Sequence, residues 1–283
     1  MKRIEIINFI SKISDEPLSF TEYSERIISI VEKFTKEEVM LHLLECGIIP
    51  ESFSHDSTEE KIYSKYSDVL LARALSFMGL NAKVLKERAD SADVEGETKN
   101  YTIVADAKLF RLSRTAKNQK DFKVEALDKW KKDKDFACLV SPLYQYPKNS
   151  SQIYRQATAK NVTLFSYIHL YCILSSPNCG NLDYKGLWLS GEKLKGEKDA
   201  SLYWKAIDSS ICKILSISNK ELCRFKKVEQ VALTRMAKEE IAYIENKISE
   251  ISSLTKEKAI ELLIKAEKLD NRLIQIRKIS GLK

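Results

Sequence analysis

Histidine is scarce in this chain: His42, His55 and His169 lie far apart, with no H-E-x-x-H pair and no cluster of His with Cys. That argues against a zinc centre and against a nuclease built on a histidine base. His42 sits in an apolar helical run and reads as a core-edge residue. Cysteine is also sparse. Cys46, Cys138, Cys172, Cys179, Cys212 and Cys223 are scattered and form no C-x-x-C pair, so they read as reduced, buried or incidental thiols. No uninterrupted apolar run approaches the length of a membrane span. The opening Met1-Lys-Arg-Ile-Glu-Ile-Ile-Asn-Phe-Ile is broken by Glu5, Asn8 and Lys12 before a signal-peptide core can form. A cytoplasmic protein without membrane contact is the expectation. Internal repeats, low-complexity tracts and a clear interdomain linker are missing too; the best exposed-loop candidate is Ser190 to Asp199, with its glycines and lysines.

What is present is an ordinary globular composition, 44% hydrophobic and 31% charged, over 283 residues. That is long enough for one large domain or two small ones. The net charge of +7, from 47 basic against 40 acidic residues, favours a polyanionic partner without selecting one.

The chemistry concentrates between Tyr101 and Lys123. Tyr101-Thr-Ile-Val-Ala-Asp106-Ala-Lys108 is apolar and β-branched, as a buried strand would be. Residues i and i+2 of a strand share a face, so Asp106 and Lys108 point into one site. Upstream lies Asp93, in Ala-Asp-Val, and then Glu-Gly-Glu-Thr-Lys-Asn, a polar run with a glycine that reads as a hairpin turn and brings Asp93 beside Asp106. Two adjacent carboxylates repel unless a cation lies between them, and oxygen ligands suit a hard ion such as Mg2+. A nearby lysine then stabilises charge on phosphorus or helps deprotonate water. The acid-x-Lys spacing alone is weak, since Asp121-Phe-Lys123, Asp183-Tyr-Lys185, Glu59-Glu-Lys61, Glu97-Thr-Lys99 and Glu245-Asn-Lys247 share it. The apolar strand leading in distinguishes Asp106 and Lys108, because burying charge there costs energy without a functional partner.

Around this stretch the pattern predicts helices up to about residue 50, with Ser19/Glu22 and Thr35/Glu38 as capping boxes and Gly47 as a stop. Ser57/Glu60 opens a long helix to about Met78, closed by Gly79. Short strands follow near 82–87, 92–95 and 101–107, then a helix near 122–131, a strand at 136–140, a helix at 151–159 and a strand at 162–165. From about Lys220 the chain turns helical and charged. There Leu233, Ala237, Ile241, Ile244, Ile248 and Ile251 form a heptad-like stripe, and Thr255 opens a further helix to about Ile279. A helical hairpin packed on its own subunit is preferred over a dimer contact or a clamp on DNA.

The run Val104-Ala-Asp-Ala-Lys-Leu-Phe-Arg-Leu-Ser-Arg-Thr-Ala-Lys-Asn-Gln-Lys-Asp-Phe-Lys-Val124 closely resembles the HindIII family of type II restriction endonucleases. Ala126-Leu, Trp130, Asp133-Lys-Asp135, Gln145-Tyr-Pro147 and Ser151-Gln-Ile153 extend the likeness, and Gly47-Ile, Ser57-Thr, Glu60-Lys61 and Asp93-Val continue it more loosely upstream. The resemblance implies an α/β, restriction-endonuclease-like (PD-(D/E)xK) core. Its central mixed sheet is flanked by helices, with helical regions added at the N- and C-termini. The matching division is an N-terminal helical region over 1–50, a catalytic and DNA-recognition core over 51–185 and a mainly helical region over 186–283, with a single domain as the alternative. Ala92-Asp93 stands where the family has Pro-Asp, a small change because the carboxylate is the metal-binding part. Seven residues before Asp93 the family, as aligned here, has a glutamate where this chain has Lys86 beside Glu87. A one-residue slip in a strand reverses the side chain, so either Glu87 serves through a bulge or no carboxylate is needed there.

The expected roles follow. Asp93 and Asp106 bind Mg2+, with Mn2+ as a substitute, and Lys108 orients or activates the attacking water. Glu60 and Glu87 are the accessory-acid candidates. Arg114, Lys117, Asn118, Gln119, Lys120, Asp121 and Lys123 form the DNA-binding segment: cations neutralise phosphates, Asn or Gln suits adenine, and Asp accepts from cytosine. The resemblance also implies double-stranded DNA cleaved at AAGCTT between the adenines, leaving 5' overhangs and 5'-phosphates. It implies a homodimer and a companion methyltransferase that is not a bound subunit. Two rivals predict different behaviour. A repair or junction nuclease would follow DNA shape and ignore AAGCTT, and a non-catalytic DNA-binding protein would bind without turnover.

Overall fold

The computed structural model describes residues 1–85, 91–114, 119–267 and 269–280, and of residues 119–120, 193 and 279–280 the backbone alone. Two compact units emerge, Met1–Ala237 and Lys238–Lys283.

In the first unit, helices α1 (Arg3–Ser14), α2 (Phe20–Val31) and α3 (Lys36–Leu43) precede the long α4 (Thr58–Phe77). The capping boxes at Ser19/Glu22 and Thr35/Glu38 are present in both directions, which sets the starts of α2 and α3. Helix α3 ends at Leu43, before the glycine expected to stop it. His42 is buried more deeply than a core-edge position, between Met1 O and the Tyr66 hydroxyl.

α4 is buried nearly all round, through Ile62, Tyr66, Leu70, Leu71, Ala74 and Leu75 among others. A helix with that pattern belongs inside a fold, and truncating Leu70 to alanine should cost about 2–5 kcal/mol. Its last turn closes on Gly79 at φ +89°, packed so closely against the Gly180 carbonyl that a Cβ there would collide with it.

Strands β1 (Asn81–Val84), β2 (Val94–Glu97), β3 (Thr102–Ala107), β4 (Phe136–Ser141) and β5 (Val162–Ser166) form one five-stranded sheet in sequence order. β1, β2 and β3 pair antiparallel, and β3, β4 and β5 pair parallel. The sheet is therefore mixed. Between β3 and β4 run α5 (Gln119–Phe122) and α6 (Val124–Lys131), and between β4 and β5 runs α7 (Gln152–Lys160). Every residue of β4 and β5 is buried, as strands covered on both faces require. Edge strand β1 alternates exposed and half-buried residues.

After β5 come α8 (Tyr167–Leu174), α9 (Lys185–Trp188), α10 (Ala200–Leu215) and α11 (Asn219–Ser252). His169, wholly buried on α8, contacts Ser166 Oγ (2.8 Å) and Asp208 Oδ1 (3.1 Å), and Lys226 of α11 donates to Asp208 at 2.6 Å. This polar chain ties α8, α10 and α11 together. Farther along α11, Ala232 and Met236 pack against Ile48.

The second unit contains the distal part of α11 with α12 (Lys256–Ala266) and α13 (Leu269–Ser280). Here the expected hairpin packing is corrected. Leu233 and Ala237 are partly buried, but Ile241, Ile244, Ile248 and Ile251 are exposed. The stripe has the right spacing for a core face, and periodicity alone does not tell which partner covers it.

Candidate active site

Asp106 is the single acid of strand β3, which is apolar between Ile103 and Ala107 apart from it, and it is 1% exposed. The β2–β3 register pairs Val94 with Ala105. Carried one residue further, it sets Asp93 opposite Asp106. Lys108 follows two residues on from Asp106, and its N–H donates to Val140 O at 2.7 Å, extending the β3–β4 ladder. Its ammonium lies against Asp106 Oδ2. The three residues expected to converge do so.

A fourth member comes from the helix. α4 packs across β1, β2 and β3 and delivers Asp68, 5% exposed, so that Asp68, Asp93 and Asp106 each place an oxygen within 4.8 Å of the others. Among the described residues, Asp68 Oδ1 and Asp106 Oδ1 accept no hydrogen bond. Buried carboxylate oxygens left this way are costly unless something cationic completes the site. Lys65, also buried on α4, donates to Leu85 O at 3.3 Å and adds a second positive charge nearby.

The electrostatics follow from crowding. Burial, reinforced by Asp93 and then Asp106, pushes Asp68 well above the usual carboxylate range. Burial and the charge of Asp106 raise Asp93 to about 6. For Lys108, burial pulls the pKa down most strongly, but the attraction of Asp106, Asp93 and Asp68 together lifts it above its ordinary value. The oxygen-only donor set, the two open oxygens and the raised pKa values fit a hard divalent cation.

Glu60 goes elsewhere. Its backbone N–H bonds to Ser57 Oγ as the cap expects, but its carboxylate accepts from Asp56 N at 2.9 Å and pairs with Arg111 at 3.0 Å. Glu60 and Lys108 do line the same cavity, of about 290 Å3. Glu60, Ser64 and Asp68 are successive residues of one α4 face, two helical turns from end to end. Sequence reasoning chose the acid at the capped end, while the member of the cluster is the one directly ahead of the Val69-Leu-Leu-Ala run. A carboxylate leading into an apolar run was the available signal.

Glu87, the other accessory-acid candidate, lies outside the described residues, as do Lys117 and Asn118 of the basic segment and the side chains of Gln119 and Lys120. Arg114 pairs with Asp121 at 2.5 Å, so the expected cytosine acceptor is engaged within its own chain. Asp121 also stands apart from the carboxylate cluster. Arg111 is fixed by Glu60 and by Pro50 O at 2.8 Å, and Lys123 is exposed with left-handed backbone.

An α/β fold on a five-stranded mixed sheet, with buried carboxylates and a lysine at the junction of its antiparallel and parallel halves, agrees with the class of restriction endonucleases. A sequence model of the HindIII restriction endonuclease family matches residues 4–280. The type II restriction enzyme HindIII of Haemophilus influenzae is 34% identical over 295 aligned positions, spanning 99% of this chain and 95% of that protein. The chain belongs to the HindIII restriction endonuclease family, and that membership makes it a site-specific deoxyribonuclease. Among the described residues, no helix is long and apolar enough to cross a membrane.

Proposed function

We propose that this enzyme is a Mg2+-dependent type II restriction endonuclease that cuts both strands of DNA at AAGCTT between the adenines, leaving 5' overhangs and 5'-phosphates. The observation that carries the chemistry is the buried Asp68, Asp93 and Asp106 cluster with Lys108 against it. The AAGCTT assignment rests on the likeness to HindIII.

On this reading the three aspartates hold Mg2+, with Mn2+ able to replace it, and the ion supplies charge stabilisation at the scissile phosphate. Asp106 holds the Lys108 ammonium in place. Lys108 orients the attacking water and stabilises charge on the phosphate. The arrangement of helix α4, β1–β3, α6, β4, α7 and β5 serves as the PD-(D/E)xK core within 51–185, with 1–50 and 186–283 as helical additions. Arg114, Lys117, Lys120 and Lys123 contact phosphates, and Asn118, Gln119 and Asp121 read bases, Asp121 after leaving Arg114. The enzyme works as a homodimer in the cytoplasm, because a palindrome presents each subunit with one half-site. A separate methyltransferase protects host sites.

The test is a digest of unmethylated phage DNA by purified protein in Mg2+, with fragment ends sequenced and EDTA as control. Ends at AAGCTT are expected. Discrete ends at another palindrome would overturn the AAGCTT assignment and keep the chemistry, random nicking would overturn sequence specificity altogether, and no cleavage by folded protein would overturn the reading of the site.

A further inference from the structure

Two lysines stand at the aspartate cluster, and they are placed differently. Lys108 is one wall of the cavity of about 290 Å3 and so faces incoming substrate. Lys65 sits on α4, 7% exposed, and its ammonium donates to Leu85 O at 3.3 Å, a main-chain carbonyl and not a carboxylate. Burying an ammonium costs energy that a surface lysine does not spend, so the placement of Lys65 calls for a function. The bond to Leu85 reaches further than one residue. Leu85 directly follows β1, and its N–H donates to Asp93 O at 2.8 Å, extending the β1–β2 ladder by one pair. Lys65 therefore holds the peptide that holds Asp93.

On the helix side, Lys65 lies one turn before Asp68, and residues three apart share a helix face. A continuous path thus runs from the helix-borne acid through Lys65 and Leu85 to Asp93 on the sheet. The acids it joins place oxygens within 4.8 Å of each other although they repel. Burial and the neighbouring carboxylates raise Asp68 and Asp93, and Lys65 is close enough that its charge opposes the rise at both. We propose that Lys65 is the positioning residue of the cluster: its bond to Leu85 O locks α4 against the end of β1 and so holds Asp68 at the separation from Asp93 and Asp106 that a divalent cation needs. The proposal rests on the reading of the cluster as the cation site and names the group that sets its geometry.

The sign of one measurement separates this role from its rivals. Taking away a nearby positive charge by itself tightens cation binding, since the carboxylates lose a competitor. A lysine that only fills space leaves binding as it was. A lost tether weakens binding, because Asp68 drifts from the ion. Calorimetric titration of Ca2+ into the full-length, DNA-free protein should therefore show Lys65→Met binding about tenfold or more weaker than wild type, with Lys65→Arg, which keeps a long charged donor, restored to within about threefold. In Mg2+, kcat of Lys65→Met should fall about tenfold or more while KM for DNA stays within about twofold, as for a group that orders the site without touching substrate. Ca2+ affinity of Lys65→Met equal to or tighter than wild type overturns the proposal, as does an arginine variant no better than methionine. Should Lys65→Met lose helix content by circular dichroism, Lys65→Gln, polar but one atom shorter, decides: its Ca2+ affinity should fall at least about threefold, and an unchanged or tighter value overturns the idea. A wild type that takes up no Ca2+ would remove the cation-site reading and the proposal with it, whereas an unchanged Lys65→Met removes the tether alone.

Discussion

Asp68 on α4 and Asp106 on β3 come from different elements, yet they hold carboxylate oxygens within 4.8 Å of each other, and Oδ1 of each lacks a hydrogen-bond donor among the described residues. The helix therefore supplies a third acid that the strands do not contain. Replacing Asp68 by asparagine keeps the shape and removes the charge. Cleavage in Mg2+ should fall about 100-fold, equivalent to about 2.7 kcal/mol in the barrier, and stabilisation by Ca2+ in thermal unfolding should shrink. The metal-free protein should be at least as stable as wild type, because a buried repulsion has gone. Full activity in the variant would make Asp68 a bystander.

The raised pKa of Asp93 has a direction in pH. Its folded value of about 6, against an ordinary 3.8, means the metal-free native state keeps a proton that the unfolded chain releases in between. Stability from this group is thus present at low pH, is lost as the pH rises through about 6, and levels off above; the upward shift of Asp68 acts the same way. A divalent cation takes the carboxylates deprotonated, so its binding strengthens over the same window. Thermal unfolding in EDTA should show wild type losing ground to Asp93→Asn as pH rises from 4.5 to 6.5, roughly the span of the two pKa values. With Ca2+ present, the wild-type gain should grow with pH. A gain independent of pH would place the ion elsewhere.

Glu60 tests whether sharing a cavity with Lys108 makes a metal ligand. Its carboxylate is already committed to Arg111 and to the Asp56 amide. Glu60→Gln should cost about 0.5–1.5 kcal/mol of stability in urea unfolding while Ca2+ affinity stays within about twofold of wild type. A tenfold loss of Ca2+ affinity would return Glu60 to the site.

The chain from His169 through Asp208 to Lys226 is structural in its setting, with His169 fully buried and held neutral mainly by that burial. Asp208→Ala would leave both a partly buried ammonium and an imidazole without their acceptor. We expect about 1–3 kcal/mol of destabilisation by denaturant melts, discounted because Asp208 and Lys226 are each about a quarter solvent-exposed. Catalysis by the folded fraction should be unaffected. An activity loss without a stability loss would contradict this assignment.

Much of this arrangement was legible beforehand. Continuous apolar, β-branched runs located β3, β4 and β5, and capping boxes located the helices, because local sterics and caps act within a few residues. The meeting of Asp93, Asp106 and Lys108 was legible as well, since it needs only strand alternation and one hairpin. Asp68 was not, because it depends on the angle at which α4 crosses the sheet, a property of packing that no spacing records. The exposed seam of α11 escaped for a related reason: the same isoleucine stripe serves a core, a neighbour or a twin, and only burial tells them apart.

The main chain at Lys108 is gripped from two sides. Its amide is bonded to Val140 of β4, and its carbonyl accepts from the Tyr167 hydroxyl at 3.2 Å, at the start of α8. Swapping its amide proton for deuterium thus requires β3 and β4 to part. Exchange at Lys108 should be among the slowest in the chain, and the ammonium is set on an anchor that yields only when the sheet itself opens.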